Sequence, residues 1–368
     1  MDGPNIAVAM GTLGTLRRSS ATTVVLVFGF LTLLLLVVLV IVDTVLSTRA
    51  FPGALVIVFG LGLLFMLLQW AISPWIVRVA IRARRPVTRE ANPWLFDTVE
   101  EIARQASVPR PRLWVSGEAG PNAFVFGRTV RSSELVVTDG LLRELNRDEI
   151  RAVLAHEIGH LRHRDVIIMT FASSVPLLAY ILARGGFEIL RGSGRARSSS
   201  RDKGGGQAIL VALLVAILAY AVYLVTQLLV RHLSRTREYY ADAYSAAATR
   251  DPHLLASALT KISYGLSLAR KTSDPSGLRA FYIGDPVKAH SDYGTLRERM
   301  VRYDIDRDGQ IDSFELRKAL EEERRNPWNR ANELFSTHPP TYKRILMLEQ
   351  MEEEILRGGL PTNIYQYV

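Results

Sequence analysis

Two histidines four residues apart, His156 and His160, enclose Glu157 in the pattern H-E-x-x-H, inside the stretch NRDEIRAVLAHEIGHLRHRD at Asn146–Asp165. On a helix this spacing stacks both imidazoles on one face, one turn apart, so two ring nitrogens can grip one zinc ion. Glu157 then stands beside the metal, where it can take a proton from the water that zinc activates. The bland alternative is a buried amphipathic helix whose histidines only cap polar neighbours. The motif alone does not exclude it.

The helix that must position these groups is written into the neighbouring residues. Asn146 suits an N-cap, and Glu149 sits three residues on, where a capping-box carboxylate belongs. Ile150, Val153, Leu154 and Ile158 recur at helical spacing, which predicts one buried face with the histidines looking elsewhere.

Composition narrows the chemistry. The 368 residues contain no cysteine, so disulfides, thiolate nucleophiles and cysteine-held metals are excluded, and any zinc must use His, Asp or Glu. The net charge is +9 and 48% of residues are hydrophobic. The arginines crowd the ends of long apolar runs, which points to membrane orientation and away from nucleic acid.

Four such runs stand out. Ala21–Ile41 and Ala54–Val77 are long enough to cross a bilayer, the second with Trp70 and Trp75 near its end. A signal peptide is a poorer reading of the first: its apolar core is too long, and a second run follows directly. Arg17 and Arg18 precede this pair, and Arg78, Arg82, Arg84 and Arg85 follow it, so both ends belong on the cytoplasmic side. Val166–Ala183 is barely long enough to cross and contains Pro176, whereas Ala208–Val230 is strongly apolar. Between them, Arg191–Gly206 reads as a disordered Gly/Ser/Arg linker. If both runs cross, that basic linker lies outside, against the charge rule. Crossing is still preferred to a run buried against protein, because the chain must return to complete a metal site.

Pro86–Asn146 reads as a soluble α/β segment. Trp94–Ala106 is an amphipathic helix, Arg112–Ser116, Ala123–Phe126 and Glu134–Thr138 are short strands, and Asp139-Gly140 leads into a short helix ending at Leu145. Two histidines leave zinc one protein ligand short. In SRTREYYADAYS, at Ser234–Ser245, Glu238 and Asp242 share a helical face. Glu238 can ligate while Asp242 orients a histidine. An ordinary solvated carboxylate pair has the same spacing.

With these residues in view, the chain resembles the HtpX-type membrane zinc endopeptidases, relatives of the CAAX prenyl endopeptidases. The resemblance runs over nearly the whole chain, through HEIGH, the apolar hairpins, REYYAD, and Ser336-Thr337-His338-Pro339-Pro340 with Arg344. It implies zinc on His156, His160 and Glu238, with Glu157 as base and Asp242 in support. It also implies that Asn122, Ala123 and Phe124 form an edge strand holding the substrate backbone, and that His338 stabilises the oxyanion. A turn role for Asn122, after Gly120-Pro121, and a capping or core role for His338 remain the alternatives.

One unit departs from the family. Tyr303–Leu316, YDIDRDGQIDSFEL, sets Asp304, Asp306, Asp308, Gln310, Asp312 and Glu315 at the ligand positions of an EF-hand calcium loop, with Gly309 at the sharp turn. Gln310 would ligate through its backbone carbonyl. Leu296, Met300 and Tyr303 line the entering helix, and Phe314, Leu316 and Leu320 the leaving one.

The expected protein is therefore an α-helical integral membrane protein of four apolar runs. It carries a mainly α catalytic domain with a small β-sheet, of zincin type, and an EF-hand insertion. The expected divisions are a membrane hairpin at 1–85, the first catalytic part at 86–165 and a second hairpin at 166–230. The second catalytic part follows at 231–290, then the insertion at 291–326 and a closing segment at 327–368. The cofactors would be zinc and calcium, the partners protein or peptide substrates and the lipid bilayer, with no nucleic acid. The expected location is the cell membrane, multi-pass, with the catalytic domain cytoplasmic. Misfolded or damaged membrane proteins are the substrate class the resemblance implies. A membrane-anchored calcium sensor with a structural or inactive zinc site is the rival reading. A transporter is disfavoured because the spans lack interior charges.

Overall fold

In the computed structural model, residues 6–46, 51–81, 83–196, 203–268 and 336–356 are described. The twelve-residue loop beginning at Asp304, with the segments expected to flank it as helices, lies outside them. The chain forms two compact units. One comprises Met1–Arg18, Ser73–Ile167 and Ser234–Val368, the other Ser19–Ile72 and Ile168–Leu233.

The second unit is built from the parts of four long helices that fall in Ser19–Ile72 and Ile168–Leu233: α1 (Ile6–Leu46), α2 (Phe51–Ala80), α6 (Asp165–Ala196) and α7 (Lys203–Thr249), whose remaining ends belong to the first unit. These four helices are long and apolar enough to cross a membrane, over Arg18–Ile41, Gly60–Ala80, Asp165–Arg191 and Ile209–Thr249. Helices α1, α6 and α7 meet in a seam of Val27, Leu31, Leu35, Ala172, Val175, Val230 and Leu233. A second seam joins Leu34, Ala179, Ala183, Ala219 and Val222. Small residues let the backbones approach: a Cβ at Gly186 would lie 2.8 Å from that of Ala216. Val25, Leu33, Leu61 and Ile217 point outward, as side chains facing lipid do. The expected linker is partly helical, since α6 continues to Ala196 and α7 begins at Lys203. Long apolar helices on both sides propagate into it more cheaply than a new helix nucleates.

The first unit holds a four-stranded sheet of order β1-β2-β4-β3, with β1 at Arg84–Pro86, β2 at Arg112–Ser116, β3 at Ala123–Phe126 and β4 at Glu134–Thr138. β2 and β4 are parallel, and both outer strands pair antiparallel. Alternation sends Leu113, Val115, Val125, Leu135 and Val137 to one core, with α3 (Pro93–Gln105), α5 (Arg147–Arg162), α8 (Pro252–Leu268) and α9 (Thr341–Leu356). The opposite residues, Trp114, Phe124, Phe126 and Val136, meet Val77, Ala80 and Ile81 at the end of α2. The sheet is therefore covered on both faces, and every position of β4 is buried. Between β4 and α5 lies the short α4 (Asp139–Glu144), capped by Thr138.

Candidate metal centre

Helix α5 begins as its sequence predicts. The Asn146 side chain accepts from Glu149 N–H at 2.9 Å, and Glu149 accepts from Asn146 N–H at 2.9 Å. Glu149 also receives Ser257 Oγ at 2.7 Å and Lys261 Nζ at 2.6 Å, which ties α5 to α8. The face that carries the histidines is buried as well. Every residue from Ala152 to Gly159 is buried, His156 and Glu157 included, because α7 covers the histidine side.

That cover requires a bare backbone at the fourth position of the motif. A Cβ at Gly159 would meet the Tyr244 ring at 3.1 Å and Ala241 Cα at 3.3 Å. Ser245 Oγ donates to the Ala152 carbonyl at 2.7 Å and fixes the register of the two helices.

The donors converge. His156 Nε2 and His160 Nε2 are 3.2 Å apart, and Glu238 oxygens lie 3.6 Å from the first and 3.7 Å from the second. A tetrahedral ion with bonds of about 2.0–2.2 Å sets its ligands roughly 3.4 Å apart, close to the spacing of the two Nε2 atoms and of each from its nearer Glu238 oxygen. Each imidazole is also oriented from behind. His156 Nδ1 lies 2.9 Å from Asp242 Oδ1, and His160 Nδ1 lies 2.7 Å from Asp165 Oδ2. With Asp165 bonded to His160 Nδ1 and Asp242 set close behind His156 Nδ1, both Nε2 atoms face the Glu238 oxygens, and only a cation or a proton relieves that crowding.

Two buried arginines close the assembly. Arg344 donates to Asp242 through Nε and Nη2 at 2.8 and 2.7 Å, and its Nη1 is 3.4 Å from Glu238. Arg237 donates to Asp165 and, at 2.8 Å, to the His163 carbonyl. Asp165 reaches His160 because Arg164 takes a left-handed turn (φ 60°) between α5 and α6.

Electrostatics follow the geometry. Burial opposes charge on His156, but Asp242 and Glu238 outweigh it and raise its pKa to about 9. His160 is also raised, burial being outweighed by Asp165 and Glu238. Burial pushes the Glu157 carboxyl above its usual range, while the imidazoles of His156 and His160 pull it back. A raised carboxyl pKa suits a general base near neutrality. His163 differs: burial drives it down to about 4, and it packs edge-on to Tyr240 and Tyr244.

His156, His160 and Glu238 are thus brought together, with Glu157 on the same helix and Asp242 behind His156. His338 comes close as well, its Nδ1 3.5 Å from Glu238 Oε1. Arg235 anchors this segment by donating to the Ser336 carbonyl at 2.9 Å. Ala123 and Phe124 lie on β3, the strand at the end of the sheet, and α5 packs against it. Asn122 precedes it, its N–H donating to Thr138 Oγ1 at 2.8 Å. Asp304, Asp306, Asp308, Gln310, Asp312 and Glu315 fall outside the described residues. Sequence reasoning missed Asp165 and Arg237. The signal available was an acidic residue five places beyond His160, at the start of the next helix.

A buried H-E-x-x-H helix met by a glutamate from a second helix defines the site of a zinc metallopeptidase. The profile of Peptidase family M48 matches residues 89–352, and the chain belongs to that family. It is an enzyme, a zinc metalloprotease, and a multi-pass membrane protein. A protease HtpX homolog of Aeropyrum pernix is 36% identical over 304 residues, covering 82% of this chain and 86% of that one. A homolog from Methanothermobacter thermautotrophicus is 40% identical over 218 residues, 59% of this chain and 76% of that one. The crystal structure of S. mikatae Ste24p overlays with a TM-score of 0.43 and 19% identity, over 92% of this chain and 66% of that one. So loose an overlay carries no weight for the chemistry of this site.

Proposed function

We propose that the protein is a membrane-embedded endopeptidase that hydrolyses peptide bonds of misfolded or damaged membrane proteins. His156, His160 and Glu238 would hold zinc, and the supporting observation is the convergence of their donors, two Nε2 atoms 3.2 Å apart with Glu238 Oε2 3.6 Å from the first and Oε1 3.7 Å from the second. Bound there, zinc supplies Lewis acidity, which acidifies water and polarises the scissile carbonyl. The Glu157 carboxylate takes the proton of the attacking water and delivers it to the leaving amine. Asp242 and Asp165 keep both Nδ1 protons away from the metal side. The substrate backbone pairs along β3, with Asn122, Ala123 and Phe124 beside the scissile bond, so main-chain hydrogen bonds dominate and side-chain selectivity is broad. His338, buried and turned toward Glu238, donates to the developing oxyanion. The catalytic unit faces the cytoplasm, as the arginines flanking the first two spans favour.

The loop from Asp304 to Glu315 binds calcium and tunes proteolysis; support for this part is its complete ligand pattern, shortly before His338 in sequence. Digestion of casein by the wild type and by Glu157→Gln, with zinc and calcium varied separately, tests both parts. Zinc-dependent cleavage lost in the variant is expected, and a variant cleaving at the wild-type rate would overturn the assignment. Calorimetry should show calcium heat in the wild type and none in Asp304→Ala. Absence of heat from both would remove calcium from the account.

A further inference from the structure

A second polar cluster sits where α2 ends, on the sheet face away from the large core. At its centre is Glu134, the first residue of β4, with only 1% of its surface exposed. Three guanidinium groups surround this carboxylate. Arg78, in the last turn of α2, donates to Oε1 through Nε at 2.8 Å and also through Nη2. Arg84 and Arg112 stand at 3.9 Å, beyond hydrogen-bond reach, although Arg112 is the direct register partner of Glu134 across the parallel strands.

One carboxylate against three guanidiniums leaves two positive charges. Arg78 satisfies Oε1 alone, and Oε2 faces Arg84 Nη1 at 3.9 Å, so the surplus positive charge rests mainly on Arg112, whose side chain is 63% exposed. Arg84 lies over the Trp114 ring, 4.9 Å from its centroid, and among the described residues neither its buried Nη1 nor Glu134 Oε2 opposite it has a hydrogen-bond partner. The net positive charge of three guanidiniums around one carboxylate, with Arg112 open to the outside, suits an approaching anion.

The level of the cluster identifies that anion. Arg78 falls within the last three residues of the apolar segment Gly60–Ala80. Trp75, Ile76 and Val79 are 60%, 55% and 66% exposed on the outer side of the same turns. An exposed tryptophan and aliphatic side chains beside a ring of arginines mark the boundary where acyl chains give way to phosphates. We propose that Arg84 and Arg112, set by the Arg78–Glu134 pair, bind the headgroup phosphate of an anionic phospholipid whose acyl chains lie along Trp75, Ile76 and Val79. The reading rests on α2 crossing the membrane and is independent of the zinc chemistry.

The test uses the full chain in nanodiscs of phosphatidylcholine doped with phosphatidylglycerol, followed by gentle extraction and quantification of the lipid retained. Phosphatidylglycerol should be enriched over its share by roughly thirtyfold, the preference two interfacial arginines supply. Arg84→Gln combined with Arg112→Gln should abolish the enrichment, and the corresponding lysine pair should retain part of it. Both variants keep Arg78 and Glu134, and an unchanged melting temperature and zinc content would verify their folding. Equal loss of enrichment in Arg17→Gln/Arg18→Gln would mean diffuse attraction and overturn the proposal. So would displacement of the lipid by millimolar inorganic phosphate, or wild-type protein retaining the two lipids in their bulk ratio.

Discussion

The metal centre and the Glu134 cluster belong to the same compact unit, and both bury carboxylates among basic groups, yet their charge balances are opposite. At the metal centre four carboxyl groups, Glu157, Asp165, Glu238 and Asp242, face two guanidiniums, Arg237 and Arg344. Lone pairs point inward and a divalent cation completes the set. At the end of α2 one carboxylate faces three guanidiniums, and an anion completes it. A buried cluster whose own members do not balance is poor at stabilising a fold and good at holding a ligand. The sign of the imbalance names the kind of ligand.

The comparison is broken most directly at the metal centre. Glu157→Gln removes the base and leaves the ligands, so proteolysis should fall by about 10²–10⁴-fold while metal analysis finds the zinc retained. Loss of zinc from this variant would mean Glu157 belongs to the grip and not to the chemistry. Next in size are the carboxylates behind the imidazoles. Asp165→Asn and Asp242→Asn should each weaken zinc binding by roughly 10–100-fold in competition with a chelator. Equal affinity in all three proteins would leave the inward lone pairs without a cause.

A smaller effect follows from the proton that the metal-free site prefers. His156 holds it up to about pH 9, and zinc must displace it. Zinc affinity should therefore fall about tenfold for each pH unit below that value and level off above it. A flat profile from pH 6 to 8 would contradict the charge balance described. The smallest change is to the scaffold: Asn146→Ala removes the cap of α5 and should cost about 1 kcal/mol. Thermal unfolding of the metal-free protein would report it, with zinc affinity changed little.

What the sequence made legible was local. The capping box, the H-E-x-x-H helix and β2, β3 and β4 each declare themselves within a few residues. β1 did not, since Arg84-Arg85-Pro86 has none of the apolar alternation of a strand and exists because β2 offers it an edge. The burial of α5 from Ala152 to Gly159 was equally hidden, because the helix covering it follows two apolar segments later. Asp242 was visible through its spacing from Glu238. Asp165 was not, because its contact with His160 depends on one left-handed residue, and its arginine lies 72 positions further on. Arg344 stood out in the sequence, but its partner Asp242 is 102 positions away and only folding shows the pair.

The order of these parts along the polypeptide has a consequence for biosynthesis. The two imidazoles emerge from the ribosome first, while Glu238 and Asp242 sit near the end of α7, beyond its apolar run, and Arg344 comes later still. A nascent chain cannot own its complete donor set before the last apolar helix has been made. Until then the donor set proposed for zinc is incomplete, because its carboxylate oxygen comes from α7.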